Sequence, residues 1–185
     1  MRGAFAVLAL ALAAPASAQT VVPVGAFDGV SLLGGGEVRL RHGPVQKVTL
    51  IQGDPTVSSL RIENNKSLVI RACRTRCRNY KLVVEIVTPR IEAVAITGGG
   101  SVVSGPGFAA QRSLAASITG GGTLDLDSLA ARDVAASIRG GGLIRTDARE
   151  SLAVSIHGGG SVTYLADPQT SVAVHGGGTV RRVAR

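Results

Sequence analysis

The chain has 185 residues, of which 25 are glycine, with 20 Lys and Arg against 12 Asp and Glu, no tryptophan, two tyrosines and three phenylalanines. That length suffices for one domain with a core or for a continuous stack of repeats, and the basic balance favours polyanionic partners. So few aromatics leave little on which the bases of a single-stranded nucleic acid could stack.

Met1 and Arg2 form a short positive region, Ala4 to Ala14 an uninterrupted apolar run, and Pro15 leads into Ala16-Ser17-Ala18. This is the pattern of a secretory signal peptide, residues 1–18, cleaved after Ala18. The run is shorter than the roughly 20 residues a membrane-spanning helix needs. No second run of that kind occurs later in the chain, and Gln19, not cysteine, stands after the cut, which argues against a lipid anchor. The expected product is a single domain, residues 19–185, without a transmembrane segment, in the periplasm or secreted. It carries 19 Lys and Arg against 12 Asp and Glu, a net charge of 19 − 12 = +7. Export argues against nucleic acid and leaves anionic glycans or acidic lipid headgroups as the polyanions to consider.

Residues 27–90 read as short strands between turns. Val30, Leu32, Val38 and Leu40 share a period-2 face around a first glycine triplet at 34–36, and His42-Gly43-Pro44, Gly53-Asp54-Pro55 and Glu63-Asn64-Asn65 separate the later strands. The phrase Leu32-Leu33-Gly-Gly-Gly-Glu37-Val38 opens a repeat whose next copies are expected to be degenerate. From Ser67 to Thr88 two β-rich runs flank Cys73-Arg-Thr-Arg-Cys77, the pattern of a hairpin whose loop is closed by a disulfide. An oxidising compartment favours bonding Cys73 to Cys77. C-x-x-x-C is not the oxidoreductase spacing, and no further zinc ligands stand nearby. Arg71, Arg74, Arg76, Arg78 and Lys81 surround this loop with no acid among them. They read either as a solvated tip that discourages edge-to-edge pairing or as a contact for phosphate or carboxylate groups, which the planar guanidinium fits.

From residue 91 a regular array begins. Its triplets are Gly98, Gly99 and Gly100; Gly120, Gly121 and Gly122; Gly140, Gly141 and Gly142; Gly158, Gly159 and Gly160; and Gly176, Gly177 and Gly178, at steps of 22, 20, 18 and 18 residues. Aligning the copies gives aliphatic columns: Ile96, Ile118, Ile138, Ile156 and Val174 before the triplets, and Val102, Leu124, Ile144, Val162 and Val180 after them. Each copy reads as strand, corner, strand and turn. Such strands bury their apolar face only by stacking copy on copy, so the array is expected to be a β-solenoid. Glycine suits its corners through positive φ and the close approach of stacked turns. A phosphate-loop reading fails because no Lys-Ser/Thr and no helix pattern comes after any triplet.

The Phe27-Asp28-Gly29-Val30 opening, the strand-rich first half and the repeated glycine-centred corner resemble the putative auto-transporter adhesin head domain family, the head GIN domain of exported bacterial proteins, over about residues 24 to 183. The resemblance implies a right-handed β-helix of the pectin-lyase-like kind whose coils turn between two sheets at GGG corners, a role in cell adhesion, and no catalytic residues to carry over.

The residues before each triplet, Thr97, Thr119, Arg139, His157 and His175, are expected to form one outward column. Two histidines on neighbouring coils could share a metal, but a third ligand is missing and Arg139 would repel a cation, so two ordinary exposed imidazoles are the plainer reading. Asp125 and Asp127 share a stretch without forming the cleft-spanning pair that polysaccharide cleavage requires. Asp133 and Asp147 read as turn formers, and no Ser-His-Asp arrangement stands out. The expectation is an exported, non-enzymatic adhesion or surface-interaction module needing no cofactor, with the arginine segment or a flat sheet face as its contact. A carbohydrate-binding or carbohydrate-active periplasmic protein, or an envelope scaffold with a protein partner, is the alternative.

Overall fold

The structure, a computed structural model, describes residues 19–63, 66–73 and 80–184. These residues form an all-β fold, with no helix among them. In chain order the strands are β1 (Thr20–Val22), β2 (Gly29–Gly34), β3 (Glu37–His42), β4 (Lys47–Gln52), β5 (Ser59–Glu63), β6 (Ser67–Arg71), β7 (Val83–Thr88), β8 (Ala93–Gly98), β9 (Ser101–Ser104), β10 (Gln111–Gly120), β11 (Thr123–Gly140), β12 (Leu143–His157), β13 (Ser161–Tyr164), β14 (Gln169–His175) and β15 (Thr179–Arg182).

Pairing sorts them into two ladders. Strands preceding a corner run β5-β6-β2-β8-β10-β11-β12-β14, and strands following one run β1-β4-β7-β3-β9-β11-β12-β13-β15. The long β11 and β12 pass through both ladders, which joins all strands into one hydrogen-bonded sheet. Repeat copies pair in parallel and in register, with Gly34 opposite Gly98, Gly98 opposite Gly120 and Gly120 opposite Gly140. Where the repeat shortens from 20 residues to 18, the two-residue difference is taken up as register irregularities between Leu126 and Asp133, away from the corner. The corner is therefore the fixed point of each copy.

In-register stacking turns period-2 alternation into columns. Leu32, Ile96, Ile118, Ile138 and Ile156 on one ladder, and Val38, Val102, Leu124, Ile144 and Val162 on the other, are all buried and pack in one hydrophobic cluster. The three glycines of a corner have different reasons to be glycine. The first adopts φ between 117° and 129° in the copies from Gly98 onward, and a Cβ there would lie 2.4–2.6 Å from the carbonyl oxygen of the first glycine of the preceding copy. A Cβ on the third would lie 2.5–2.7 Å from the Leu or Ile side chain of the preceding copy, as at Gly142 against Ile118. The middle glycine of each copy meets nothing within 4 Å, and nothing in the structure requires it.

The layout of the first half departs from sequence order, and one expectation for it is corrected. Copies do not stack in sequence order: β2 and β3 pair directly with β8 and β9, so residues 93–104 lie on one side of residues 29–42 while 47–88 fill the other. Nor do β6 and β7 form a hairpin. β6 lies parallel to β2 and β7 parallel to β3, in different ladders. The pair is an end copy whose glycine corner is replaced by a longer segment. Ala72 N–H donates to Leu33 O at 3.1 Å, and Glu37 N–H to Leu82 O at 2.8 Å, so Ala72 and Leu82 occupy the two sides of the corner beneath Gly34 and Gly36. A loop between two β-rich runs looks the same in sequence whether the runs pair with each other or with separate neighbours. Here Leu68 and Ile70, and Val84 and Ile86, each bury against an existing ladder. Among the described residues, consecutive strands that pair antiparallel are β5 and β6.

The two ends differ. Beyond the β6–β7 copy, β5 pairs antiparallel with β6, β4 with β7, and β1 with β4. At the opposite end β14 and β15 are last in their ladders, with Val172 48% and Val174 37% exposed, against 4% and 0% for Val154 and Ile156 one copy earlier.

Candidate functional site

Ala72 and Leu82, which bracket the arginine segment in sequence, sit on the edge that carries the glycine corners. Both feet are anchored by one buried hydroxyl. Ser58 Oγ donates to Ala72 O at 3.0 Å and lies 2.8 Å from the Tyr80 hydroxyl. The Tyr80 oxygen in turn accepts from the Asp54 backbone N–H. Asp54 opens a tight turn in which its backbone carbonyl accepts from Val57 and Ser58 N–H groups at 3.1 and 2.9 Å. Its carboxylate accepts from Thr56 N–H at 2.8 Å and Thr56 Oγ1 at 2.6 Å. These donors, the Thr56 hydroxyl foremost, hold the Asp54 carboxyl below its ordinary pKa. The sequence marked 53–55 as a turn but gave no sign that Ser58 and Tyr80 fasten the loop.

Of the predicted cations, Arg71 ends β6 and is half-buried, while Lys81 is exposed beside buried Leu82. Arg74, Arg76, Arg78 and Cys77 lie outside the described residues. Cys73 is described and is not free; its expected pairing with Cys77 falls outside the described residues.

The outward column forms as expected, since Thr97, Thr119, Arg139, His157 and His175 are register partners and all exposed. His157 and His175 stack face to face, ring centroids 4.8 Å apart and planes 8° from parallel. Stacked rings direct their nitrogens side by side, not toward a common point. No group of three or more His, Cys, Asp or Glu gathers among the described residues.

Of the acids considered for catalysis, Asp125, Asp127 and Asp133 engage the neighbouring strand β12, whereas Asp147 pairs within β12. Arg145 reaches Asp127 at 2.7 Å and Asp125 at 3.9 Å. Asp133 accepts from Ser151 Oγ at 2.6 Å, and Asp147, 1% exposed, pairs with Arg149 at 2.6 Å. Two open depressions mark the sheet faces. One of about 440 Å3 is lined by Arg39, Arg41, His42, Val103 and Pro106, with His42 edge-on to Phe108 at 5.5 Å. The other, about 390 Å3, runs along the small residues Ala115, Ala135 and Ala153 and Ser117, Ser137 and Ser155.

The family profile described as "Putative auto-transporter adhesin, head GIN domain" matches residues 26–112 and 107–168, which span the anchored segment and most of the array. The chain belongs to this family. Adhesion or surface interaction, outside the cell or exposed at its envelope, is the role the family's name carries. A solved structure agrees on the fold: a putative adhesin from Bacteroides fragilis superposes with a TM-score of 0.55 at 17% identity, covering 90% of this chain and 96% of the other. A putative adhesin from Parabacteroides distasonis gives 0.44 at 14% identity over 90% and 96%. No curated protein matches the sequence. In this head GIN domain the glycine copies supply the frame, and the anchored segment is where a copy departs from it.

Proposed function

We propose that the protein is an exported, non-enzymatic adhesion module of the bacterial envelope that contacts anionic glycans or lipid headgroups through the arginine segment. It is, on this reading, a right-handed β-helix. The parallel in-register pairing of successive copies supports the helix, and the strong bias of parallel crossovers toward one hand supports the handedness.

The observation that carries the functional reading is the replacement of a glycine corner by a segment whose two feet share the buried Ser58 hydroxyl. Clamping both feet lowers the conformational entropy lost when the segment orders around a ligand. The segment from 71 to 81 carries five cations in sequence, Arg71, Arg74, Arg76, Arg78 and Lys81, and guanidinium groups bind phosphate, sulfate and carboxylate in bidentate fashion. A disulfide between Cys73 and Cys77 would tighten the same segment. The engagement of Asp125 and Asp127 by Arg145 leaves that pair poorly suited to general acid and base roles.

The test is binding of the secreted protein to vesicles containing acidic phospholipid and to a panel of sulfated and uronic-acid glycans, beside the Arg74→Ser/Arg76→Ser/Arg78→Ser variant. The reading expects salt-sensitive binding that falls at least tenfold in the variant. Unchanged binding overturns it.

A further inference from the structure

Of the two strands that end the stack, β15 is short and carries Arg181 and Arg182, whereas β14 breaks the rule the other edges obey. Edge strands of soluble proteins are commonly blunted by charge, proline, shortness or a covering segment. At the far end β1 has three residues, and β5 carries Arg61 and Glu63 paired with each other. β14, by contrast, is the seven-residue run Gln-Thr-Ser-Val-Ala-Val-His, without Lys, Arg, Asp, Glu or Pro, and it pairs only with β12 among the described residues. Its Val172 and Val174 continue buried columns yet stand 48% and 37% exposed.

We propose that this end is the interface between two copies of the chain, related by a two-fold axis through Val172, with β14 of each copy pairing antiparallel to β14 of the other. Val172 is the central residue of the strand, so this register uses its whole length: Gln169 faces His175, Thr170 faces Val174, and Ser171 faces Ala173. No like charges meet within the strand pair. Asp167, two residues before the strand, is already paired with Arg182 of its own chain at 3.1 Å, so the pairing adds no uncompensated acid to the seam. A two-fold perpendicular to the sheet keeps the inward faces on one side, so the exposed valines of each copy extend the other's apolar column. Antiparallel strands can satisfy each other's free N–H and C=O groups, which an apolar patch alone could not do. The footprint, about 23 Å of strand by the roughly 10 Å between sheet faces, or about 230 Å2 per copy, is well below the roughly 800 Å2 per partner of a standard interface, which makes the contact a weak one. The association is therefore concentration-dependent, and it is isologous, stopping at two.

Sedimentation equilibrium of residues 19–185 between about 5 µM and 500 µM should show the mass rising toward twice the chain mass and no further. Val172→Lys, which places two ammonium groups at the axis on a position already half exposed, should hold the mass at one chain with circular dichroism unchanged. Since that variant could loosen the last copy, Val172→Cys is the second probe. Residues opposed across an antiparallel pair lie about 4.5–5.5 Å apart at Cα, within disulfide reach. Mild oxidation should therefore link Val172→Cys into covalent dimers, while Val103→Cys, 40% exposed on the other ladder, should stay largely unlinked. A mass of one chain throughout, as when a different partner or segment takes this edge, overturns the proposal. So does growth past two copies, or equal cross-linking of the two cysteine variants.

Discussion

The glycine corner makes a prediction that separates three adjacent residues of one type. Consider Gly140→Ala, Gly141→Ala and Gly142→Ala in the middle of the array. At Gly140 the backbone sits at φ 125°, a region that costs a residue with a side chain about 1–3 kcal/mol. The new Cβ would also stand 2.4 Å from Gly120 O and 3.1 Å from its carbonyl carbon. Those are backbone atoms of the neighbouring copy, so relief requires the copies to separate at the corner, and overpacking of this kind costs about 1–3 kcal/mol more. The sum is about 2–6 kcal/mol. At Gly142 φ is unremarkable, but the Cβ would lie 2.7 Å from Ile118 Cγ2 and 2.9 Å from Gly122 O, giving about 1–3 kcal/mol. At Gly141 no atom lies within 4 Å, and the smaller entropy of the unfolded alanine chain stabilises the fold by about 0.4–1 kcal/mol. Thermal melts read the order directly, because 1 kcal/mol moves Tm by about 2–4 °C in a chain of this size. Gly140→Ala should melt lowest, Gly142→Ala next, and Gly141→Ala at or above the unsubstituted protein. Equal losses at Gly140 and Gly141 would refute the steric account of the corner.

The packing sets three further outcomes. Ser58→Ala leaves Ala72 O and the Tyr80 hydroxyl without the partner they share and should cost about 1–3 kcal/mol in urea unfolding, whereas Tyr80→Phe should cost about 0.5–1.5 kcal/mol; a Ser58→Ala variant as stable as the parent contradicts the shared anchor. Asp54 should titrate below the ordinary carboxylate value when followed by NMR, because the Thr56 donors favour its charged form. The sign then runs one way: its contribution is present above the unfolded pKa and is lost as pH falls through the folded one. The stability difference between the protein and Asp54→Asn should accordingly shrink on acidification, and a difference that grows in acid would be inconsistent with it. Ile138→Ala, at a position 0% exposed, should cost about 2–5 kcal/mol, while Val174→Ala, 37% exposed in the last copy, should cost under about 1 kcal/mol at low protein concentration; similar costs would mean that this end is covered in solution.

Much of the frame was legible because a period-2 pattern interrupted at a fixed glycine corner leaves little freedom. The aliphatic columns through Ile96, Ile118, Ile138 and Ile156 came out buried, and His157 and His175 came out adjacent. What the sequence hid were relations between segments of equal local appearance. The 67–88 stretch has the apolar-corner-apolar form of any copy, but with Ala72 and Leu82 standing where glycines stand elsewhere, so its lengthened corner reads as a hairpin loop. The stacking order was hidden for a related reason, since residues 29–42 offer two equivalent sides and the chain fills the far one before returning to the near one. Val172 and Val174 are indistinguishable by type from their buried counterparts; only their place as the last copy exposes them. Ser58 gave no signal, because a lone serine after a turn is common and its partners are 14 and 22 residues away.

The same geometry explains why recognition is expected at the ends of the stack and not along it. Within the array a Cβ on the first glycine would strike the backbone of the preceding copy and one on the third its Leu or Ile side chain, so an inserted or bulky corner in a middle copy would force apart two neighbours. At the β6–β7 copy Ala72 and Leu82 meet Gly34 and Gly36 on one side, while on the other the turn from Gly53 to Ser58, not a further glycine corner, lies against Ala72, Tyr80 and Leu82. Nine residues, 73 to 81, stand there between Ala72 and Leu82 in place of the middle glycine of a corner. At the opposite end the last corner, Gly176 to Gly178, is constrained by Gly158, Gly160 and Ile156 beneath it and by no described residue above. The two places where this architecture tolerates new side chains or new neighbours are thus its first and last copies, and these carry the arginine segment and the uncharged β14 edge.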